Sequence, residues 1–486
     1  MSLATDAPRA ARIREQLGFP IVDGDGHVLE LTTVFLEYLR DVEGGAVADG
    51  FEASPPYARW SEPWANGIEQ RRRTWTGAAN LWGWPTLNTL DRATATLPRL
   101  YAARMDDLGI DFSILYPSAG LFLVNLADAD LREAVIRAYN RWVIDMTSSH
   151  RDRLCPVATI SMHTPDEAVR QLRDAAAMGH RVVCMQGFVA RPVPSVAEQA
   201  GEPVAALAPR LDYFGLDSEY DYDPVWAACT ELRIAPTFHS GSGLWPGRSV
   251  SNYTYNHIGS IAQAQEGLAK ALFMGGVTRR FPALNFGFLE CGAAWACSLL
   301  SDLVGHFHKR SLPAMAYVDP AKLDLAELMR LIEQYGDEFT VHHLDRARAF
   351  YDRPFPPLPD RDDFWQVHPR DAAEIVELFV PRFYIGCEAD DPSVAWAFNT
   401  KVNPGHSKVR AMFGSDVGHW DVTDVGDVVV EAWELVEHGL ITEDDFREFM
   451  FCNPVELHAR TNPDFFNGTR VAQEVNAFLA EGRGSA

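Results

Sequence analysis

The chain contains few of the residues that serve nucleic-acid and membrane binding. It has 43 basic residues, of which only five are lysines, against 67 acidic residues, so its formal net charge is −24. A surface this acidic repels phosphate backbones and anionic lipid headgroups. No apolar run approaches the roughly 18 residues of a membrane-spanning helix, and the segment MSLATDAPRAARIREQ lacks the apolar core of a signal peptide. We therefore expect a cytoplasmic protein whose partner is a small molecule, with no nucleic-acid or membrane partner.

Cysteine is also scarce, and its spacing argues against two kinds of site. The seven cysteines form no C-x-x-C pair, and most lie in apolar runs such as RVVCMQ and WACSLL. This pattern is typical of buried free thiols in a reducing compartment. A disulfide framework and a structural zinc site built from thiolates are therefore not expected.

What the sequence does contain is a regular alternation of apolar runs and helical patterns. A helix that opens with Thr164, Pro165 and Glu167, for example, leads into the run HRVVCMQG. Apolar strands that alternate with helices indicate a parallel sheet covered by helices. Eight such units predict an α/β fold of the (β/α)8 TIM-barrel type, with a doubly wound open sheet as the alternative. The predicted strands are 19–27, 110–118, 155–163, 180–187, 233–241, 283–292, 381–389 and 409–419.

Three segments are longer than a barrel requires. We interpret residues 19–460 as a single metal-dependent barrel domain with insertions at about 40–95, 188–224 and 309–372. Each insertion follows a strand, so each is expected near the carboxyl face of the barrel, where active sites form. They would build a lid or pocket wall, with peripheral packing or a subunit interface as the alternative. The first insertion carries five tryptophans: Trp60, Trp64, Trp75, Trp82 and Trp84.

The stretch IVDGDGHVLE, residues 21–30, places ionisable groups at alternate positions of the first predicted strand. Side chains alternate along a strand, so Asp23, Asp25 and His27 are expected on one face. Burying three ionisable groups together is costly unless something pairs them. A bound metal ion would do so, and a salt-bridged strand end is the alternative.

Other polar side chains follow apolar strands in the same way. His239 ends the fifth strand in PTFHSG, Glu290 the sixth in FGFLECG, and Asp416 the eighth in FGSD. Because the carboxyl ends of barrel strands meet at one mouth, these groups and the Asp25–His27 pair predict a nitrogen and oxygen metal site. Each residue alone has an ordinary alternative: a satisfied core histidine, an arginine partner, or a turn cap.

The chain resembles the amidohydrolase superfamily, in the amidohydrolase-related (amidohydrolase 2) branch that includes metal-dependent decarboxylases and hydrolases. The resemblance rests on motifs spread over most of the barrel. Members bind one or two divalent metals through an H-x-H-type motif on strand 1, a histidine on strand 5 and an aspartate on strand 8, which implies these roles for Asp25, His27, His239 and Asp416. The motifs are VDGDGHVLE, RMDDLGID, YNRWVID, DYDPVWAACTELRIAPTFHSG, GGVTRRFPALNFGFLECGAAW, FGSDVGH and FMFCNP.

Two departures from the family pattern bear on the metal. Asp25 stands where many members have histidine, which shifts the preference toward manganese or iron without excluding zinc. Glu290 stands where decarboxylases of this branch usually have histidine. The fourth strand offers no lysine to bridge two ions, so a carboxylate would have to do so. Glu290 is the first candidate for this bridge, with Asp416 or Asp25 as alternatives.

The resemblance implies a divalent-metal cofactor, which we expect to be two ions of Fe, Zn or Mn. Asp23 is expected to bind or to orient a ligand, and Glu30 to face solvent. Trp295, His419 and Trp420 are expected to bind substrate, with core packing as the alternative for Trp295 and a contact that holds Asp416 as the alternative for His419. Five histidines in helical or inserted segments are expected either at the surface or in contact with the metal ligands without binding the metal: His257, His306, His308, His342 and His343.

The expected reaction is hydrolysis of an ester, a thioester (acyl-CoA included) or an amide of a bulky hydrophobic substrate by a metal-activated water. Asp416 would carry the proton, and Glu290 would assist as a base or a ligand. The alternative is non-oxidative decarboxylation of an aromatic acid, in which Asp416 would protonate the ring. A binding protein with a relic metal site is a third hypothesis. By analogy with similar barrels, a homo-oligomer is expected.

Overall fold

The computed structural model describes residues 7–61, 67–77, 87–239, 248–355, 357 and 361–483. Eight strands pair in parallel, each with the next along the chain, in a nearly closed barrel. The (β/α)8 prediction is therefore confirmed. The strands are β1 (Val22–Val28), β2 (Phe112–Pro117), β3 (Leu154–Ile160), β4 (Val182–Met185), β5 (Pro236–Phe238), β6 (Phe286–Phe288), β7 (Phe383–Cys387) and β8 (Arg410–Phe413).

The strands are buried on both faces, which explains why they are continuous apolar runs. Phe286 and Phe288 of β6 belong to the large core between the strands and the helices. Ile114 and Tyr116 of β2 belong to a second core that fills the barrel. The Tyr116 hydroxyl donates to Thr237 Oγ1 at 3.0 Å across this interior. The barrel is therefore a packed core and not a channel.

Helices surround the strands and follow their sequence signals. Thr164 accepts the Glu167 N–H at 3.2 Å at the start of one helix, as predicted, and this helix ends on left-handed Gly179. The α-helices are Arg9–Gln16, Thr32–Glu43, Gly45–Glu52, Pro55–Ser61, Ile68–Thr74, Thr89–Thr96, Pro98–Arg104, Ala129–Thr147, Pro165–Met178, Pro194–Ala200, Glu202–Ala205, Asp223–Leu232, Tyr253–His257, Ser260–Met274, Val277–Arg280, Ala294–Arg310, Leu325–Tyr335, Glu338–His342, Leu344–Tyr351, Ala372–Phe379, Val394–Ala397, Val428–Glu437, Glu443–Arg447, Asn453–Ala459 and Ala472–Arg483. Over the described ranges, no helix has the length and apolar character needed to cross a bilayer.

The insertions contain secondary structure of their own. Four helices lie between Gly45 and Thr96, an antiparallel ribbon joins Val189–Pro192 to Pro209–Asp212, and three helices lie between Leu325 and Tyr351. Of the five tryptophans in the first insertion, Trp64, Trp82 and Trp84 and the side chain of Trp60 lie outside the described residues. The domain bounds 19–460 stay a prediction, and residues beyond them, such as Phe465 and Val475, also pack in the core.

The first and last strands of the barrel, β1 and β8, lie next to each other, and the side chain of Asp23 links them across this seam. The carboxylate of Asp23 accepts the Ser415 N–H at 2.9 Å and the Ser415 hydroxyl at 2.7 Å. The Asp416 N–H donates to the Asp25 carbonyl at 2.9 Å just above this contact. Asp23 also accepts the Ser113 hydroxyl at 2.6 Å, so it links β1 to both of its neighbours. These contacts hold the first half of β1 against the residues that follow β8, where the candidate ligand Asp416 lies.

Candidate metal centre

A bulge in β1 separates the three ionisable residues of DGDGH. Asp23 pairs with Ser113 and Gly26 with Leu115, so β1 has one residue more than β2 between these points. A side chain added to Gly26 would meet Asp23 Oδ2 at 2.5 Å, which puts Gly26 and Asp23 on one face. Asp25 and His27 point to the other face, toward the barrel mouth. The expectation of one shared face is therefore wrong for Asp23, because strict alternation does not continue through a bulge.

The other predicted ligands converge. His27 Nε2 lies 3.1 Å from His239 Nε2, 3.5 Å from Asp25 Oδ1 and 3.4 Å from Asp416 Oδ1. His239 Nε2 lies 2.9 Å from Glu290 Oε2. Donor atoms of Asp25, His27 and His239 form one group within 4.8 Å of one another, and those of His27, Glu290, Asp416 and His419 form a second. The structure thus brings together five of the six residues that the sequence predicts as ligands.

Two of these residues have left-handed backbone conformations. Glu290 has φ 49° and Asp416 has φ 47°, a region that non-glycine residues rarely adopt and that costs about 1–3 kcal/mol. In both cases the strained residue lies two or three positions after a strand end and turns its carboxylate into the barrel mouth. The fold therefore holds both carboxylates in place at a cost in stability, which is typical of functional positions.

Burial and crowding shift the pKa values of the carboxyl groups. Burial raises the pKa of Asp25 to about 8, with further upward contributions from the charges of Glu290 and Asp23. Burial and the charge of Glu290 raise the pKa of Asp416 well above its ordinary value. Burial also disfavours the charged forms of Glu290 and His239. The attraction between these two groups outweighs burial, so the pKa of Glu290 is lowered and that of His239 is raised. A cation would stabilise all three carboxylates in their charged forms.

Backbone groups orient the first imidazole. His27 Nδ1 lies 3.1 Å from the Pro117 carbonyl, which is the geometry of an N–H donor to that oxygen. This bond leaves Nε2 as the lone-pair nitrogen that faces Asp25, His239 and Asp416. The neutral form is the stable one, because burial lowers the pKa of His27 well below its ordinary value.

His419, expected to bind substrate or hold Asp416, contacts the second donor group. Its Nδ1 lies 2.5 Å from Asp416 Oδ1 and its Nε2 lies 3.1 Å from the Ser118 hydroxyl. The rings of His27 and His419 lie 3.9 Å apart between centroids. Ser118, which follows β2 and was not predicted as a site residue, thus contacts both histidines.

Glu30 does not face solvent, which corrects the expectation. Its side chain is buried and accepts the Tyr139 hydroxyl at 2.6 Å. It also accepts backbone N–H groups of Ser118 at 3.1 Å, Ala119 at 2.7 Å and Gly120 at 3.0 Å. A carboxylate that satisfies three consecutive amides fixes the loop that carries Ser118.

Three further residues near the ligands were not predicted as site residues. Glu388, directly after β7, and Asp421 form a third donor group with Asp416. Burial raises the pKa of Glu388 to about 9. His257 lies 3.6 Å from Glu290 Oε1. The signal for Glu388 was its position after the strand run FYIGC, the same signal that identified Glu290.

The two tryptophans predicted to bind substrate lie in different places. Trp420 is half-buried and packs edge-to-face on His257 at 5.4 Å and on Tyr253 at 5.6 Å. Trp295 is buried in the core between strands and helices, against Phe288 at 5.8 Å. This position corrects the expectation for Trp295, because its helix turns the ring to the outer face of β6.

The donor set fits a divalent metal. The described residues give no hydrogen bond of acceptable angle to either carboxylate oxygen of Glu290 or Asp416, or to Oδ1 of Asp25. Buried carboxylate oxygens without such partners are costly. Oxygen and imidazole ligands without thiolate suit zinc, iron or manganese. Asp23 is different, since its oxygens accept hydrogen bonds from Ser113 and Ser415 and it belongs to none of the donor groups.

The family model for amidohydrolases matches residues 78–342, which is more than half of the chain. The chain belongs to the amidohydrolase family. The family resemblance is thereby confirmed, and the protein is an enzyme of this superfamily. The matched amidohydrolase segment includes His239 and Glu290 but not Asp25, His27 or Asp416. The assignment of all five residues to one centre therefore rests on the distances between their side chains. No curated protein matches the chain.

The chain is similar to several solved structures at low sequence identity. An amidohydrolase from Mycobacterium avium subsp. paratuberculosis K-10 is 18% identical over 76% of this chain and 75% of its own, with a TM-score of 0.47. A 5-carboxyvanillate decarboxylase from Novosphingobium aromaticivorans DSM 12444, complexed with manganese, is 13% identical over 91% and 96%, with a TM-score of 0.48. A 2,6-dihydroxybenzoate decarboxylase from Rhizobium is 15% identical over 90% and 98%, with a TM-score of 0.43. Similarity at this level concerns the fold and does not carry over a reaction.

Proposed function

We propose that this amidohydrolase is a metal-dependent hydrolase of a neutral ester, thioester or amide bond. One observation carries the proposal: three buried carboxylates, Asp25, Glu290 and Asp416, converge with imidazoles at the barrel mouth. Among the described residues, no lysine or arginine lies within ion-pair distance of these carboxylates. Two divalent ions would carry four positive charges against these three negative ones, and one deprotonated water would balance the remainder, so a neutral carbonyl substrate leaves the charges balanced whereas a substrate carboxylate adds a negative charge.

The proposed ligands are Asp25, His27, His239, Glu290 and Asp416. A divalent ion held there would polarise the substrate carbonyl and lower the pKa of water. Asp416 accepts a proton from the attacking water and returns it to the leaving group. His419, 2.5 Å from Asp416 Oδ1, holds that carboxylate in position, and Ser118 holds His419. Asp23 positions the strand ends and is not proposed as a ligand.

Two ions are proposed because the donor groups are linked. Asp416 belongs both to the group with Glu290 and to the group with Glu388 and Asp421, and these two carboxylates are proposed as further ligands of the second ion. Glu290 is the proposed bridge, since its two oxygens face different histidines, His239 at 2.9 Å and His257 at 3.6 Å. Iron, manganese and zinc all suit these ligands. The exposed edge of Trp420 is proposed as a wall for a bulky hydrophobic substrate.

Decarboxylation of an aromatic acid is the second candidate function. One feature favours it: the His419 ring lies beside the buried Asp416 carboxylate, with Nδ1 2.5 Å from Oδ1, so a proton can pass between the two groups. Such a pair can deliver that proton to a ring carbon as carbon dioxide leaves. The charge balance counts against it, since an anionic substrate would add a negative charge to a centre that two divalent ions and one deprotonated water already balance.

The decisive experiment combines elemental analysis with two substrate panels. Protein purified without added metal or chelator is analysed for metal, then assayed with acyl thioesters and aryl esters and, separately, with hydroxybenzoic acids. Two ions per chain with ester or thioester cleavage supports hydrolysis. Carbon dioxide release with intact esters supports the second candidate. Protein that binds no divalent metal after reconstitution contradicts both.

A further inference from the structure

Two segments of the chain contact each other beside the candidate metal centre: residues 67–77 of the first insertion and residues 248–259 after β5. Arg71 Nε donates to the Val250 carbonyl at 2.9 Å, which joins the two segments. We call them together the rim. The hydrolysis proposed above uses none of the arginines of the rim.

The rim reaches the metal centre through His257. Its Nε2 lies 3.6 Å from Glu290 Oε1, and its ring packs edge-to-face on Trp420 at 5.4 Å. The preceding residue, Asn256, is held in place because it accepts the Ser249 N–H at 2.7 Å and donates to the Ser249 carbonyl at 2.8 Å. A substrate whose scissile carbonyl lies at the metal centre can therefore extend past His257 and Trp420 to the rim.

Arg248 and Arg71 lie beside the same turn of the rim. A side chain added to Gly77 would meet Asn256 Nδ2 at 3.1 Å and Arg248 Nη1 at 3.6 Å, so these two groups lie together next to Gly77. The Thr76 N–H donates to the Arg71 carbonyl at 3.0 Å, which holds the same turn against Arg71. The two arginines come from different segments and are brought together by the fold.

The rim is basic, although the chain as a whole is strongly acidic. It carries four arginines and one acidic residue, whereas the whole chain has a net charge of −24. Arg72 pairs with that acidic residue, Glu69, at 2.7 Å. Arg248 is half-buried, forms no ion pair with a described residue, and has its pKa lowered by burial. A partly buried cation without a counter-charge is costly, and a bound anion would offset that cost.

The chemistry of these side chains favours a phosphate group. The guanidinium fork matches phosphate oxygens with two parallel hydrogen bonds, and two arginines suit a doubly charged group better than a carboxylate. A nucleic acid is not favoured, since the rest of the chain repels a long polyanion. We propose that Arg248, together with Arg71, binds a phosphate group in the tail of the substrate while the neutral carbonyl lies at the metal centre. The choice of a phosphate-bearing ester or thioester rests on the proposed function, whereas the phosphate subsite itself does not.

Isothermal titration calorimetry with phenyl phosphate tests the subsite without turnover. The metal-loaded chain is expected to bind this probe, and Arg248→Gln to raise the Kd at least about tenfold. Arg72→Gln is the matched control, because it removes a charge from the same segment that Glu69 already pairs, so its Kd should stay close to that of the unmodified chain. Equal affinity in the unmodified chain and Arg248→Gln would show that the metal ions alone hold the probe, which overturns the subsite.

Kinetics with two thioesters tests whether the subsite serves the substrate. Benzoyl coenzyme A and benzoyl pantetheine share the scissile bond and differ in the nucleotide phosphates. The unmodified chain is expected to prefer the first, and Arg248→Gln to lower the ratio of the two kcat/KM values at least about tenfold, mainly through KM. A ratio that Arg248→Gln leaves unchanged overturns the role in substrate binding. If phenyl phosphate binding depends on Arg248 but neither thioester is cleaved, the subsite is supported and the proposed hydrolysis is contradicted.

Discussion

Tyr139 donates a 2.6 Å hydrogen bond to Glu30, the buried carboxylate that also accepts three consecutive backbone N–H groups of the Ser118 loop. This contact joins the helix Ala129–Thr147 to the end of β2, next to the candidate metal centre. Ser118 in turn contacts His419 at 3.1 Å and His27 at 3.4 Å. The position of two imidazoles therefore depends on a side chain that does not itself face the centre.

Glu30→Gln is expected to destabilise the fold by about 1–3 kcal/mol, because the amide cannot accept all four hydrogen bonds. It is also expected to weaken metal binding by about tenfold, since the loop that orients His27 and His419 loosens. Urea unfolding and metal titration measure the two effects. Glu167→Gln is the matched control, because Glu167 is a buried carboxylate that pairs with Arg132 and is distant in sequence from every proposed ligand. This variant should lower stability without changing metal affinity.

His239→Ala is expected to lower metal affinity by more than about tenfold and to abolish turnover, because it removes an imidazole that faces His27 and Glu290. Elemental analysis after dialysis measures the first effect. His180→Ala provides the comparison: His180 is also buried, but it bonds to the carbonyls of Pro156 and Asn140. Full metal occupancy in His239→Ala would show that this histidine is not a ligand.

Glu290→Gln is expected to keep the fold and to reduce the metal content from two ions to one. The amide retains the shape of the side chain but loses the charge that a bridging ligand requires. Far-UV circular dichroism tests the fold, and elemental analysis gives the stoichiometry. If the content stays at two ions, Glu290 is not the bridge and its role is contact with substrate.

The Arg132–Glu167 pair gives a prediction for the pH dependence of stability. Burial opposes ionisation of Glu167, but the hydrogen bonds and charge of Arg132 outweigh it and lower the pKa of Glu167 below its ordinary value. A carboxyl whose folded pKa is lowered contributes stability above its unfolded pKa and loses it as the pH falls toward the folded pKa. The difference in unfolding free energy between the unmodified chain and Glu167→Gln, measured with a chelator present, should therefore shrink below about pH 4.5. A difference that does not change between pH 7 and pH 3 would contradict this assignment.

The sequence predicted the barrel because each strand is a buried apolar run and each helix carries local signals, as at Thr164 and Gly179. It predicted His239, Glu290 and Asp416 for a related reason: a polar residue directly after such a run must lie at the barrel mouth. The face of Asp23 was not predictable, since the bulge in β1 depends on its pairing with β2. The burial of Glu30 depends on Tyr139 and the Ser118 loop, which are distant in sequence.

The seam between β1 and β8 has a consequence for how the metal centre assembles during synthesis of the chain. Asp25 and His27 leave the ribosome before the other proposed ligands, and Asp416 leaves it after them. A nascent chain therefore cannot complete the donor set until β8 has been made. Assembly of the full centre then follows the closing of the barrel and cannot template the earlier strands. A complete metal centre thus identifies chains in which β1 and β8 have come together.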